Sequence, residues 1–370
     1  MNATPPDEPG PGAGTGADRR RSAAAAAFLV AISVMIAAGL FEIGLRLFHP
    51  QDLSGRWLHR LPDGPAINRP DGAARHQFGD RVVRYRFNRF GQRNANADLK
   101  ACRRALVLGD SFTFGWLLNR GETFVGRLQA RLDARRDGCP WTLLNAAAGG
   151  WGTADQLRYL ERFGADIRPD AVVVFIGIDD FERARLRDTY RVAPDTGELT
   201  FHPAPPPDAG FAGVIRRIPG YQWFLEHSHL VQLARKSVVG SRNRQRPAAG
   251  APTAGTAARP APRAELAAYG PGHAELVTAL FRRMAAWCRR NGVELVVLTN
   301  GWPRTPIPWF GDALRDAGIH LHDLRPRVAP AVNADRAAYV IAGDGHPSAA
   351  GAGLIADAAW PVIDRALAPK

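Results

Sequence analysis

Ala105-Leu-Val-Leu-Gly-Asp-Ser-Phe-Thr-Phe-Gly115 decides how the rest of this chain is read. Ala105 to Leu108 is an apolar run long enough for a buried strand and too short for a helix. Gly109 ends it, and Asp110 and Ser111 stand where a strand would turn into a helix. A serine there would sit at the open end of the strand, with its hydroxyl exposed and its backbone N–H available to an anion. Turns and helix N-caps favour the same three residues, so the stretch alone fits either reading. The rest of the chain decides.

Towards the C-terminus the pattern alternates between strand and helix, as in a doubly wound parallel sheet. A helical stretch near Glu122 to Arg135 follows, then a strand Thr142-Leu-Leu-Asn-Ala146 and a helix over Thr153 to Phe163. Ala171-Val-Val-Val-Phe-Ile-Gly177 is apolar throughout, as a strand covered on both faces should be. Asp180 to Lys236 reads as loops and short helices. Within it Glu226, His227 and His229 invite a metal reading, but histidines two apart on a helix do not share a face, and no third ligand has a recognisable spacing. An ordinary surface turn is the expectation. Ser241 to Arg263 is Ala/Pro/Gly/Arg-rich and reads as a flexible loop within the last domain. A helix from about His273 to Arg290, a strand Glu294 to Thr299, a short strand near Ile319 to Leu321 and a helix from Ser348 complete the pattern.

Towards the N-terminus the composition changes. Residues 1–22 read as a disordered tail rich in Pro, Gly and Ala, with Arg19, Arg20 and Arg21 near its end. Residues 23–48 read as a transmembrane anchor helix. Ala23 to Phe41 carries no charge, and Glu42-Ile-Gly-Leu-Arg-Leu-Phe48 continues the helical pattern where a cleaved signal would need a small-residue site. The arginines before the span predict that this end stays in the cytoplasm, which puts the remainder on the periplasmic or extracytoplasmic side of an inner membrane crossed once. Residues 49–100 form a membrane-proximal segment in which Arg81 to Phe87 alternates like a strand and Asn88-Arg-Phe-Gly91 reads as a turn. Its expected role is packing against residues 101–370.

The 370 residues carry a formal charge of +13, from 48 Lys+Arg against 35 Asp+Glu, and 46% of them are hydrophobic. The arginines are scattered, and no dense basic block with interleaved aromatics suggests nucleic acid. A membrane surface, an acidic glycan or plain solvent fits the charge better. Three cysteines match no zinc site.

The Ser111 stretch resembles the first block of the SGNH/GDSL hydrolases, and later segments resemble the family's other blocks in the same order. The resemblance implies a three-layer α/β/α, flavodoxin-like sheet and no metal or organic cofactor. It implies Ser111 as nucleophile and His346, in Gly343-Asp-Gly-His-Pro-Ser348, as its base. The family places an aspartate three residues before that histidine, where this chain has Gly343. Asp344, two residues before, is the chosen acid, because residues i and i+2 of an extended or turning segment face one side. A Ser–His dyad oriented by a backbone carbonyl is the alternative. The oxyanion hole would draw on the Ser111 N–H and on Gly150, the last residue of Asn145-Ala-Ala-Ala-Gly-Gly150. The family's third donor is an asparagine, but Gly177-Ile-Asp-Asp-Phe181 has Asp179 there, and an ionised carboxylate donates nothing. Asp179 could be protonated through burial and its neighbour Asp180, Asn300 could substitute for it, or catalysis could be weak.

If the strands near Cys102 and Cys139 are parallel neighbours, as in the family, the two thiols sit at one end of the sheet. A bridge and two separate thiols both remain open. The expected function is that of a membrane-anchored serine esterase acting on an ester-bearing carbohydrate or lipid of the envelope. An O-acetyltransferase for exported polysaccharide, working with a membrane acyltransferase partner, and a non-catalytic glycan-binding protein on the same scaffold are the alternatives.

Overall fold

The computed structural model describes residues 16–61, 64–135, 138–177, 180, 183–184, 189–193, 195–203, 218–244, 271–303 and 308–368. Contacts divide them into two units, one within 1–53 and 227–248, the other within 54–226 and 249–370.

The first unit holds helix α1 (Gly16–Phe48). It begins inside the stretch read as a disordered tail, because Ala-Asp-Arg-Arg-Arg offers good helix formers and no breaker. From Arg21 to Phe48 the helix is long and apolar enough to cross a membrane. Phe28, Leu29, Val30, Val34, Met35, Ile36 and Leu40 on it are exposed.

In the second unit the chain first makes two antiparallel pairs. One is β1 (Leu58–Arg60) with β2 (Ala66–Asn68). The other is β3 (Ala73–Phe78) with β4 (Arg81–Arg86), in which only β4 was legible from the sequence. The large sheet follows: β5 (Arg103–Leu108), β6 (Trp141–Asn145), β7 (Ala171–Ile176), then, after the hairpin β8 (Tyr190–Val192) and β9 (Leu199–Phe201), β10 (Glu294–Thr299) and β11 (Leu321–His322). The large sheet runs β11-β10-β7-β5-β6, all parallel. By position in the sheet this is the order 2-1-3-4-5, with its reversal between β5 and β7.

Alternate residues of each strand enter opposite cores. Leu106, Leu108, Val172, Val174 and Val297 pack with α4 (Thr153–Ile167), α7 (Pro271–Arg290) and α8 (Pro308–Asp316). Ala105, Val107, Val173, Phe175 and Leu298 pack with α3 (Phe124–Asp133), α9 (Arg325–Ala334) and α11 (Ala349–Ala366). The expected three-layer α/β/α, doubly wound fold is therefore present. Two short helices complete it, α2 (Ser111–Phe114) and α10 (Arg336–Tyr339). A third apolar cluster joins Trp57, Val83, Tyr85 and Phe87 to Phe114, Leu117 and Ile341.

Two expectations need correcting. Ser241 to Arg244 is not loop but the end of α6 (His229–Arg244), since nothing before the proline-rich run stops a helix; residues 245–270 lie outside the described residues. The Glu226-His227-Ser228-His229 cluster is not an ordinary surface turn: Glu226 and His227 end the helix α5 (Tyr221–His227), and His229 opens α6. In the second unit Glu226 Oε1 accepts from Gln222 Nε2 at 2.7 Å. In the first unit the Glu42 carboxylate caps α6, accepting from the backbone N–H of His229 and Leu230 at 2.9 and 2.8 Å. There His229 is buried, its Nδ1 accepting from the Gln51 N–H at 2.7 Å. Burial also lowers its pKa. Among the described residues no group of three or more His, Cys, Asp or Glu is placed to hold a metal.

Cys102 and Cys139 form a disulfide, with Cα atoms 5.4 Å apart at the N-terminal end of the paired strands β5 and β6.

Candidate active site

Ser111 opens α2 directly beyond β5, at the reversal of strand order where open α/β sheets bind ligands. Asp110 caps the helix, its Oδ1 accepting from the Phe112 N–H at 2.9 Å. Gly109 is required by space. A side chain there would collide with Thr113 and with the carbonyl of Phe175. Asn145, at the end of β6, donates through Nδ2 to the Thr113 carbonyl at 2.8 Å and so ties the neighbouring strand to the same turn.

His346 comes from the other end of the chain. Val340 pairs with Pro347 as a short antiparallel bridge, and the Ile341 N–H donates to the His346 carbonyl at 2.8 Å. The loop between them turns back through Gly343 (φ +76°) and Gly345 (φ +95°), a conformation glycine takes at little cost. Asp344, held between these glycines, is thereby brought onto its own histidine. Asp344 Oδ1 is 2.6 Å from His346 Nδ1, and it also accepts from the His346 N–H at 3.2 Å. His346 Nε2 is 2.8 Å from Ser111 Oγ. An ionised carboxylate only accepts, so Nδ1 carries the ring proton and Nε2 is left to accept from the serine hydroxyl.

The electrostatics agree. Burial pushes the Asp344 carboxyl up. The hydrogen bond and charge of His346, its backbone N–H and the more distant His76 outweigh burial and hold the carboxyl below the usual carboxylate range. Asp344 is therefore ionised at neutral pH.

The other candidates fall into place differently. Gly150 takes φ +77° at the turn after β6, and its neighbour Gly149 leaves room for the Trp116 ring. Asp179 lies outside the described residues. Asp180 is fully buried and holds the loop beyond β7, accepting from the Gly177 N–H at 2.5 Å and from Gln156 Nε2 at 3.0 Å. Asn300 is buried with its amide nitrogen against Gly177, and its Oδ1 accepts from the Trp302 N–H at 3.0 Å.

Sequence reasoning missed several residues around the site. Arg183 Nη1 lies 3.3 Å from Asp110 Oδ2 and donates to the Trp151 carbonyl at 3.2 Å, so one guanidinium touches residues next to both Ser111 and Gly150. Buried Arg93 donates to the carbonyls of Phe114, Gly115 and Leu118 at 2.6, 3.0 and 2.9 Å, bracing the turn beyond Ser111. Burial pushes its guanidinium down to about 10, which leaves it cationic at neutral pH. Trp116 and Phe112 pack against the His346 ring with centroids 5.5 and 5.3 Å away. No motif in a single sequence marks these residues, because each acts through a contact between segments far apart in the chain.

A flavodoxin-like α/β domain with serine, histidine and aspartate hydrogen-bonded in series over its switch point defines the class. The chain belongs to the GDSL-like lipase/acylhydrolase family, whose model matches residues 107–354. Among solved structures, TesA is 17% identical, with 72% of this chain and 100% of that chain covered and a TM-score of 0.37. The psychrotrophic esterase EstA from Pseudoalteromonas sp. is 15% identical, with coverages of 72% and 100% and a TM-score of 0.40. The acetyl xylan esterase AlAXEase is 14% identical, with coverages of 70% and 99% and a TM-score of 0.38. No curated protein matches the chain.

Proposed function

We propose that this protein is a membrane-anchored serine esterase that hydrolyses O-acyl groups of an envelope carbohydrate or lipid outside the cytoplasm. The observation that carries the chemistry is the hydrogen-bond series from Ser111 Oγ to His346 Nε2 (2.8 Å) and from His346 Nδ1 to Asp344 Oδ1 (2.6 Å). Ser111 Oγ attacks the ester carbonyl carbon while its proton passes to His346 Nε2. Asp344 keeps the imidazole in the accepting tautomer and offsets the charge it gains. The carbonyl oxygen becomes an oxyanion met by the backbone N–H groups of Ser111 and Gly150, with Asp179 contributing only in its protonated form. The C–O bond to the alcohol breaks, and that alcohol takes the proton from His346. Water, deprotonated by the same imidazole, then hydrolyses the acyl-serine. The reading needs no metal or organic cofactor.

Anchoring through α1 is supported by the length and apolarity of Arg21 to Phe48, with arginines at its N-terminal end. The Cys102–Cys139 bridge supports an oxidising compartment. In this reading residues 1–22 are the cytoplasmic tail, 23–48 the anchor, 49–100 the membrane-proximal segment and 101–370 the hydrolase domain.

The test is turnover of an activated acetyl ester by the full chain in detergent, with Ser111→Ala as control. Turnover lost in the control, together with an acyl adduct on Ser111 in the wild type, supports the reading. No turnover and no adduct would replace it with a glycan-binding role. Transfer of acetyl to an added polysaccharide in preference to water would make the protein an acetyltransferase, and a membrane acyl-donor partner would then be expected.

A further inference from the structure

Trp116 stands at the meeting of two parts of the chain. One face of its indole lies against His346, with ring centroids 5.5 Å apart and planes within 26°. Around the remainder are Trp57 at 5.4 Å, His76 edge-on at 4.8 Å and Phe114 at 6.2 Å. Gly149 makes room on another side, since a Cβ there would lie 2.9 Å from the indole.

The backbone carrying this ring is unusual. Gly115 takes φ +81°, and Leu117, on the far side of Trp116, takes φ +58°, a conformation that leucine rarely adopts. Such a residue persists only where its surroundings over-determine it, and such residues gather at functional sites. Here the surroundings come from residues 81–93. The Leu117 N–H donates to the Tyr85 hydroxyl at 2.9 Å, and the Leu117 carbonyl accepts from Arg81 Nη1 at 3.4 Å. The Tyr85 hydroxyl also lies 2.8 Å from His76 Nδ1. Arg93 holds the carbonyls on both sides of Trp116. All of these groups precede residue 107, where the family match begins.

Resting on the esterase reading above, we propose that Trp116 is a positioning residue for His346, fixed by Tyr85, His76 and Arg93 of the membrane-proximal segment, and that its indole face stabilises the imidazolium formed when Ser111 gives up its proton. An indole face is electron-rich and attracts a cation far more than a neutral ring. The contact therefore strengthens as charge builds on His346, which is the condition for accelerating the step rather than merely binding. The membrane-proximal segment is then part of the catalytic apparatus. The charged and titratable groups around His346 are Asp344 on Nδ1, His76 of β3 beyond Asp344, and the Asp110–Arg183 pair beside Ser111.

The experiment compares full-length wild type, Trp116→Leu, Trp116→Phe and Tyr85→Phe in detergent, by pH–rate profile on an activated acetyl ester. His346 is also titrated by NMR with ¹³C-labelled histidine, the resonance assigned with His346→Gln. Trp116→Leu is expected to lower kcat about tenfold at nearly constant KM and to move the acidic limb and the His346 titration down by about half a pH unit or more. Trp116→Phe should restore most of both. Tyr85→Phe should lower kcat about threefold, because it keeps the aromatic packing and removes only the hydroxyl that holds Leu117. The direction of the shift separates this role from simple packing, since opening His346 to water would move its titration up. An unmoved or raised titration in Trp116→Leu, or a phenylalanine variant no better than the leucine one, would overturn the proposal. If the wild type hydrolyses nothing, the esterase reading fails, while the His346 titration still decides the contact.

Discussion

Asp344 reaches His346 from two residues away, Oδ1 to Nδ1 at 2.6 Å, because the loop between them is bent by left-handed glycines at 343 and 345. Gly343 occupies the place where the family resemblance called for the acid. Its φ of +76° suits glycine, and a Cβ there would come within 3.3 Å of Phe78. The loop is shaped around an acid at 344. Asp344→Asn should therefore lower kcat by about 10³–10⁴, since the amide can donate to Nδ1 and hold the wrong tautomer. Adding Gly343→Asp to that variant should not restore activity. Steady-state kinetics on an acetyl ester checks both, and recovery in the double variant would show that the loop accepts either register.

The same pair predicts a pH dependence of stability. The folded-state pKa of Asp344 is depressed, so its contribution is present in full above the unfolded value and is lost as pH falls through the folded one. Wild type and Asp344→Asn should differ most in stability near neutrality and converge below about pH 4. Thermal unfolding of the two proteins between pH 3 and 7 measures this. A gap that persists undiminished at the acid end would rule the carboxylate out as its source.

What the sequence could and could not disclose follows from the range of the forces involved. Strands Ala171–Ile176 and Glu294–Thr299 were legible because burial on both faces demands an unbroken apolar run. Ser111 was legible only together with the later segments that follow it in order, since Gly-Asp-Ser alone fits a plain turn or N-cap, and Asp344 because it is the acid nearest His346 in a segment that turns. The hairpin of Tyr190–Val192 and Leu199–Phe201 was not, since three-residue strands carry too few alternations to register. The supporting set of Tyr85, Arg93 and Trp116 was invisible for a different reason. Each residue is unremarkable locally, and its role exists only once β3 and β4 fold against the turn beyond Ser111.

Arg93 is the costliest of these to lose. Its guanidinium serves the carbonyls of Phe114, Gly115 and Leu118, and it lies 4.7 and 4.8 Å from the rings of Tyr85 and Phe114. Arg93→Met fills the volume and strands those acceptors, so about 3–5 kcal/mol of stability should go. Arg93→Lys keeps the charge without the fork and should recover only part of it. Urea unfolding of the three proteins gives the comparison, and a methionine variant as stable as wild type would mean that water replaces the guanidinium.

Arg183 offers the sharpest separation of charge from geometry. Asp110 is buried one residue before Ser111, so its carboxylate is badly placed for an oxyanion forming at that serine unless a cation answers it. Arg183 Nη1, 3.3 Å from Asp110 Oδ2, is that cation. Arg183→Met should therefore lower kcat by roughly 10–100-fold and leave KM nearly unchanged, because the repulsion is felt mainly when negative charge builds on the substrate. If neutralising Asp110 is the main task, Asp110→Asn with Arg183→Met should turn over at about the rate of Asp110→Asn alone, the two effects being strongly non-additive. If the guanidinium instead acts on the oxyanion directly, the double variant should lose the full penalty of both changes. The kinetic cycle of four proteins decides between these outcomes, and we expect the first, because the Arg183 contact observed is with the carboxylate.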